Sequence, residues 1–216
     1  MSIGAILTKE IKTDARNPYT LAGALLFLLS SLFVCYITIK RISAPSTWTS
    51  LFWIILLFTS FNAVAKSFVN ETRERMLYYY SIISPSDFVI SKMLYNALIM
   101  VILSGAAVLV FSTLFEIVIE DPIAFWYAVI FGAAGFGIVL SLLSTIASKA
   151  GNNLTLMAIL GLPILLPMVL VTTTITKNAI DGIDWSIQWK YAFVLMGLNL
   201  VCFALSVILF PYLWRE

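Results

Sequence analysis

Six long apolar runs dominate the hydrophobic pattern of the chain. They cover residues 20–39, 48–65, 93–118, 125–148, 153–176 and 191–213, and Glu116 is the only charged residue within them. Each run has about the 20 residues that a helix needs to cross the hydrocarbon of a bilayer. The pattern predicts an all-α membrane protein with six transmembrane helices, organised as a single domain over residues 1–216.

The first sixteen residues follow a different, amphipathic pattern. At about 100° per residue, Lys9, Lys12 and Arg16 share one sector of a helix. The opposite sector holds the apolar residues Ile3, Ile6, Leu7, Ile11 and Ala15. We predict an interfacial helix that lies on the membrane surface. Glu10 and Asp14 project within the apolar sector, so the pattern holds only if they face a partner or a basic group.

The basic residues are divided unequally between the two sides of the predicted bundle. Nine lie on one side: Lys9, Lys12, Arg16, Lys66, Arg73, Arg75, Lys92, Lys149 and Arg215. Four lie on the other: Lys40, Arg41, Lys177 and Lys190. The positive-inside rule then predicts that both termini lie in the cytoplasm. Tryptophans are predicted to anchor the outer ends of spans at Trp48, Trp126, Trp185 and Trp189.

The only long cytoplasmic loop, residues 66–92, has an organised sequence. Charged residues of both signs precede an apolar and aromatic stretch, Pro85 then breaks the helix, and Ser86 can cap a new one. The loop is therefore predicted to form a coupling helix, a turn and a re-entry helix. Either it is a solvated turn, or it is a surface on which a soluble partner docks. The residues predicted to contact that partner are Glu71, Arg73, Glu74, Arg75, Met76, Leu77 and Tyr79.

Two features within the apolar runs predict how the helices pack. Ala133, Gly137, Ser141 and Thr145 recur every four residues in the fourth run, and small residues at this spacing let another helix approach closely. Pro163 and Pro167 each remove a backbone donor from the fifth run, so a kinked or broken helix is expected there. That kink serves either the architecture alone or a movement.

Several kinds of chemistry are missing from the sequence. The chain has no histidine, no G-x-x-x-x-G-K-[ST] loop for ATP and no G-x-S-x-G motif. Its net charge of +2 does not favour binding to nucleic acid. Its two cysteines lie in apolar runs, where we expect them to be small core residues. We predict a protein that is not an enzyme and holds no catalytic, cofactor-binding or metal site. The classes of protein that remain are a permease and a scaffold, either of which would take its energy from a separate protein.

The surface helix, the six spans and the organised loop resemble the transmembrane subunit of type-2 ABC exporters. Three segments narrow the resemblance to the haem-exporter permease B family of cytochrome c maturation (CcmB). They are the loop 71–92, the segment 149–152 leading to the 162–167 motif LPILLP, and the closing residues 210–215, FPYLWR.

This resemblance implies a homodimer of the permease with two copies of a soluble ATPase subunit, and a haem-handling membrane protein C as a further partner. ATP would be hydrolysed by the partner, and haem is a possible cargo. The resemblance also implies that the complex lies in the cytoplasmic (inner) membrane, where it would either export haem or transmit motion that releases a haem-loaded chaperone. This resemblance leads to a hypothesis for the mechanism. The helix at residues 71–80 would move with the ATPase, this motion would pass into spans 2 and 3, and the kinked span 5 would let the bundle change shape. The alternatives are a non-transporting membrane scaffold or assembly factor, and a type-2 ABC permease for another lipophilic substrate.

Overall fold

The computed structural model describes residues 3–16, 19–39, 44–64, 84–149 and 154–215, and all regular secondary structure in these ranges is α-helical. The helices are α1 (Ile3–Arg16), α2 (Tyr19–Thr38), α3 (Pro45–Val64), α4 (Pro85–Leu114), α5 (Pro122–Lys149), α6 (Leu154–Ile180) and α7 (Trp185–Arg215). Six of them, α2 to α7, are long and apolar enough to cross a membrane. The predicted class, an all-α membrane protein with six spanning helices, is confirmed.

Helix α4 begins at Pro85 and not at residue 93, where the apolar run begins. Ser84 is its N-cap, because the side-chain oxygen of Ser84 accepts a hydrogen bond of 3.2 Å from the backbone N–H of Asp87. Pro85 fits the first turn, where its missing N–H has no partner to lose. The prediction that Ser86 caps this helix is therefore wrong, since Ser86 lies inside the first turn. The predicted re-entry helix and the third span form one continuous helix.

Helix α5 occupies the centre of the bundle and packs against α3, α4, α6 and α7. Its glycines permit this burial, because neighbouring helices approach where a side chain would otherwise stand. A Cβ added at Gly137 would lie 2.7 Å from the backbone oxygen of Asn96 in α4. A Cβ at Gly132 would lie 2.5 Å from the indole of Trp53 in α3. The two glycines therefore set how closely α5 meets two different neighbours.

The amino-terminal helix and the carboxyl-terminal end of α7 lie at the same end of the bundle. Ile6 of α1 is buried in a small apolar cluster with Phe88, Val89 and Met93 of α4 and Phe210 of α7. The rings of Phe88 and Phe210 have centroids 6.0 Å apart. This end, where α1 meets the start of α4 and the end of α7, is called the α1 end below.

Two predictions about individual residues change in the folded chain. Trp48 is fully buried against the rings of Phe52, Phe111 and Phe125, so the prediction that it anchors the outer end of a span at the membrane surface is wrong. Trp126, Trp185 and Trp189 are exposed. Helix α6 continues through Pro163 and Pro167 without interruption, which leaves the kink and not the broken helix as the prediction for that span.

Candidate functional site

The residues predicted to contact a soluble partner lie outside the described residues. Glu71, Arg73, Glu74, Arg75, Met76, Leu77 and Tyr79 all belong to this group. The described chain stops before them at Val64 and resumes at Ser84. The site on this side of the molecule is therefore built from α1 and from the start of α4, the helix into which the loop leads.

A buried ion pair joins α1 to α4. The Lys92 Nζ donates to Glu10 Oε2 at 3.0 Å, and the two side chains are only 3% and 8% exposed. Lys9 Nζ donates to the other carboxylate oxygen, Glu10 Oε1, at 2.8 Å. Both oxygens of Glu10 are therefore bound, and the acid that interrupts the apolar sector of α1 faces a basic group of α4.

Two further polar contacts extend the junction between α1 and α4. The Tyr95 hydroxyl donates to Asp14 Oδ2, one helical turn along from the ion pair on each helix. The Ser91 hydroxyl lies 3.3 Å from the backbone oxygen of Ile3 and 2.7 Å from that of Asp87. Contacts at both ends and at the middle of α1 fix its rotation as well as its position on α4. The acids that were anomalous in the sequence pattern provide two of these contacts.

Opposing effects determine the charge of Glu10. Burial raises its pKa, but the positive charges of Lys92 and Lys9 and the hydrogen bond that each donates to the carboxylate lower it by more. The net result is a pKa below the ordinary value of 4.5, so the side chain is ionised at neutral pH. The junction is therefore held by a charged pair in a site from which water is largely excluded.

A second close junction joins α4 to α5 at the centre of the bundle. Asn96 Nδ2 donates to the Ser141 hydroxyl of α5 at 2.7 Å, and both residues are buried. Gly137 lies one turn away, where the α5 backbone meets that of α4. Ala133 and Thr145 are buried on α5 as well. The four residues of the predicted stripe thus all lie inside the bundle, and the middle two lie at the crossing with α4.

Other buried polar side chains tie helices together on the far side of α5. Trp53 Nε1 donates to the Thr176 hydroxyl at 2.7 Å, which joins α3 to α6. Asn199 Nδ2 donates to the backbone oxygen of Phe131 at 3.0 Å, which joins α7 to α5. Within the described ranges no group of three or more cysteines and acids is placed to hold a metal ion. The expectations of no cofactor and no metal site in the whole chain stay predictions.

The sequence pattern indicated that Glu10 and Asp14 need partners but not which residues supply them. In the sequence pattern Lys92 is one of nine predicted cytoplasmic charges, and Tyr95 is part of an apolar run. The signal that pointed to the junction was the pair of acids in an apolar sector. The identity of the partners required the fold, because Glu10 and Lys92 are 82 positions apart.

Comparison with known proteins identifies the family of the chain. The model of one protein family, described as CcmB protein, matches residues 1–212. No curated protein matches the chain. Proteins of this family are membrane permease components of an ABC-type haem exporter in cytochrome c biogenesis. With nearly its whole length matched and six membrane-length helices, the chain belongs to the CcmB family and is a multi-pass membrane permease component.

Proposed function

We propose that this permease couples ATP hydrolysis by a separate ATPase subunit to haem export, or to release of a haem-loaded chaperone, in the inner membrane. It works as a homodimer with two ATPase subunits and with the haem-handling membrane protein C. The α1 end faces the cytoplasm, where the ATPase docks. Residues 71–80 form the docking surface, with Arg73 and Arg75 pairing with acids and Leu77 filling an apolar cleft of the partner.

The charge distribution supports this orientation. The α1 end carries Lys9, Lys12, Arg16 and Lys92. At the opposite end the described basic residues are Lys177 and Lys190, and the acids Glu116, Glu120, Asp121, Asp181 and Asp184 outnumber them. Positive charge is retained on the cytoplasmic side of membrane proteins. The α1 end is therefore the cytoplasmic end in this proposal, and both termini lie on that side.

The observation that carries the coupling is the double attachment of α4. Its start follows directly on the loop that contains the docking residues, and the same few turns are bound to α1 through Lys92 and Tyr95. Further along, α4 is bound to α5 at Asn96 and Gly137. A helix held at both junctions moves as a rigid body with what is attached to it. Movement of the loop by the ATPase is therefore transmitted to α1 and to the central helix together.

Release of a haem-loaded chaperone is the form of the activity that the buried polar groups favour. Asn96, Trp53 and Asn199 each direct a donor to another helix of the same chain. These side chains act as ties between helices, and the chain has no histidine to ligate haem iron. Transmission of motion to protein C requires no ligand for iron in this chain.

The docking proposal is tested by combining Arg73→Ala, Arg75→Ala and Leu77→Ala in the full chain. We expect the variant to lose copurification of the ATPase and haem attachment to c-type cytochromes while it stays in the membrane. The matched control combines Lys177→Ala and Lys190→Ala, which remove two exposed charges at the opposite end. Undiminished copurification and ATP turnover in the triple variant would refute docking at this loop. Haem attachment that persists without any ATPase would favour a scaffold.

A further inference from the structure

Helix α1 has three faces, and each has a different environment. Ile6 and Glu10 are buried against the bundle. Ile11 is 48% exposed and continues the apolar surface of a membrane protein. Lys12 and Arg16 are exposed on the side turned away from α4, with Lys9 beside them. These three cationic residues are called the cationic face of α1. The contacts of Glu10 and Asp14 with α4 fix the rotation of the helix and hence the direction of this face.

The cationic face belongs to one outward side of α1, on which Ala5, Thr8, Lys9, Lys12, Thr13 and Arg16 lie next to one another. Both threonine hydroxyls donate to carbonyl oxygens of α1 itself, to Gly4 and Lys9 at 2.8 Å. Lys9 Nζ is engaged by Glu10. Lys12 and Arg16 form no ion pair in the described part of the chain. Among the described residues of this side of α1, Lys12 and Arg16 are therefore the exposed cations that an anion could contact.

The apolar surface near the cationic face favours a lipid over a free anion. Helix α2 follows α1 after two residues and is a candidate membrane span whose side chains are mostly exposed. Its Tyr19, Leu25 and Leu26 are 82%, 38% and 68% exposed. Together with Ile11 they offer apolar surface to acyl chains next to the cations. A phospholipid combines these two requirements, because its phosphate lies at the membrane surface above its chains.

We propose that the cationic face of α1 binds the headgroup of an anionic phospholipid, with Lys12 and Arg16 contacting the phosphate. The Glu10–Lys92 pair positions this face by holding the opposite side of α1 on α4. Each cation near an anionic surface strengthens the attraction by about fivefold, so the two together contribute about 25-fold. This site does not depend on the ATPase, and it holds for either orientation of the bundle.

The experiment purifies the full chain from membranes that contain equal amounts of phosphatidylglycerol and phosphatidylcholine, and mass spectrometry counts the lipid that survives detergent washing. We expect the wild type to retain phosphatidylglycerol preferentially. Lys12→Gln with Arg16→Gln should lower the ratio of the two retained lipids by about 25-fold. Lys177→Gln with Lys190→Gln, which removes the same charge at the opposite end, should leave it within about twofold. Thermal unfolding checks that both variants are folded.

Two further readouts test whether binding depends on charge and whether the ligand of this face is a lipid or a protein. The preference of the wild type should weaken as salt rises, because the Debye length falls from about 10 Å at 0.1 M to about 3 Å at 1 M. Equal lipid ratios in the wild type and the Lys12 and Arg16 variant would overturn the proposal. So would an equal loss in the control. A variant that keeps its lipid but loses the ATPase would assign the cationic face to the protein partner, and would overturn the lipid site while supporting cytoplasmic docking.

Discussion

Replacing Lys92 by Met tests whether the buried ion pair holds α1 in place. The substitution keeps most of the volume of the side chain and removes the charge that lies 3.0 Å from Glu10 Oε2. At an effective dielectric constant of about 20, charges at this distance attract by about 5.5 kcal/mol. Desolvation of the two ions offsets most of this, so the intact pair stabilises little relative to apolar residues, but an acid left behind is costly.

The expected cost follows from what remains around Glu10. Loss of one partner of a buried pair costs about 3–5 kcal/mol, and Lys9 still binds Glu10 Oε1. We therefore expect a value near the lower limit, about 3 kcal/mol, which raises the open population of α1 by about 150-fold. The measurement is amide hydrogen exchange of α1 in reconstituted bilayers, compared with exchange in the middle of α5 as an internal reference.

Two control variants test whether the effect of Lys92→Met comes from the acid that is left buried without its partner. Lys9→Met removes a partner that is 33% exposed, so it should change exchange of α1 by less than about fivefold. Combining Lys92→Met with Glu10→Leu removes both charges and should restore most of the protection, because no unpaired ion stays buried. The reasoning would be refuted by a single variant whose α1 exchanges as slowly as the wild type. A double variant that opens as readily as the single one would refute it equally.

Three other predictions concern the α1 end and the centre of the bundle. The stabilising charge of Glu10 is fully present above its ordinary pKa of 4.5 and is lost as the pH falls through the lower folded value. Acid should therefore raise the open population of α1 below pH 4.5 in the wild type and not in Glu10→Gln, measured as exchange of α1 relative to the intrinsic amide rate at each pH. Gly137→Ala should lower the free energy of unfolding by about 1–3 kcal/mol, because its Cβ meets backbone atoms at 2.7 Å. Gly105→Ala, with nothing within 4 Å, should not lower thermal stability, and equal effects would contradict the crossing. Ser84→Ala should cost about 1 kcal/mol and speed exchange in the first turn of α4, whereas an equal effect of Ser86→Ala would contradict the assigned cap.

The limits of sequence reasoning are clearest at the start of α4. The apolar run marks the part of the helix that is immersed in lipid, so it predicted a beginning at residue 93. The helix itself begins at Pro85, because backbone hydrogen bonding and the Ser84 cap continue beyond the apolar part. The first three turns of α4 then present Lys92 and Tyr95 to α1. The docking residues 71–79 remain a prediction, since they lie outside the described residues.

The sequence alone determined the number of membrane spans and the fold class. Each span depends on about 20 consecutive apolar residues, and transfer of such a run into lipid is favourable whatever its neighbours are. The amphipathic pattern likewise located α1 and showed that two of its acids required partners. These properties depend on short stretches of the chain, so composition and periodicity are enough to predict them.

Tertiary structure decided which side chains meet. Glu10 binds Lys92 across 82 positions, Trp48 is enclosed by three phenylalanine rings, and Gly137 faces the α4 backbone. Each contact depends on how far one helix is rotated and shifted against another, and many rotations bury the same apolar area in lipid or in protein. Close packing of small residues and the pairing of buried polar groups select one arrangement among them, and both are properties of two helices together.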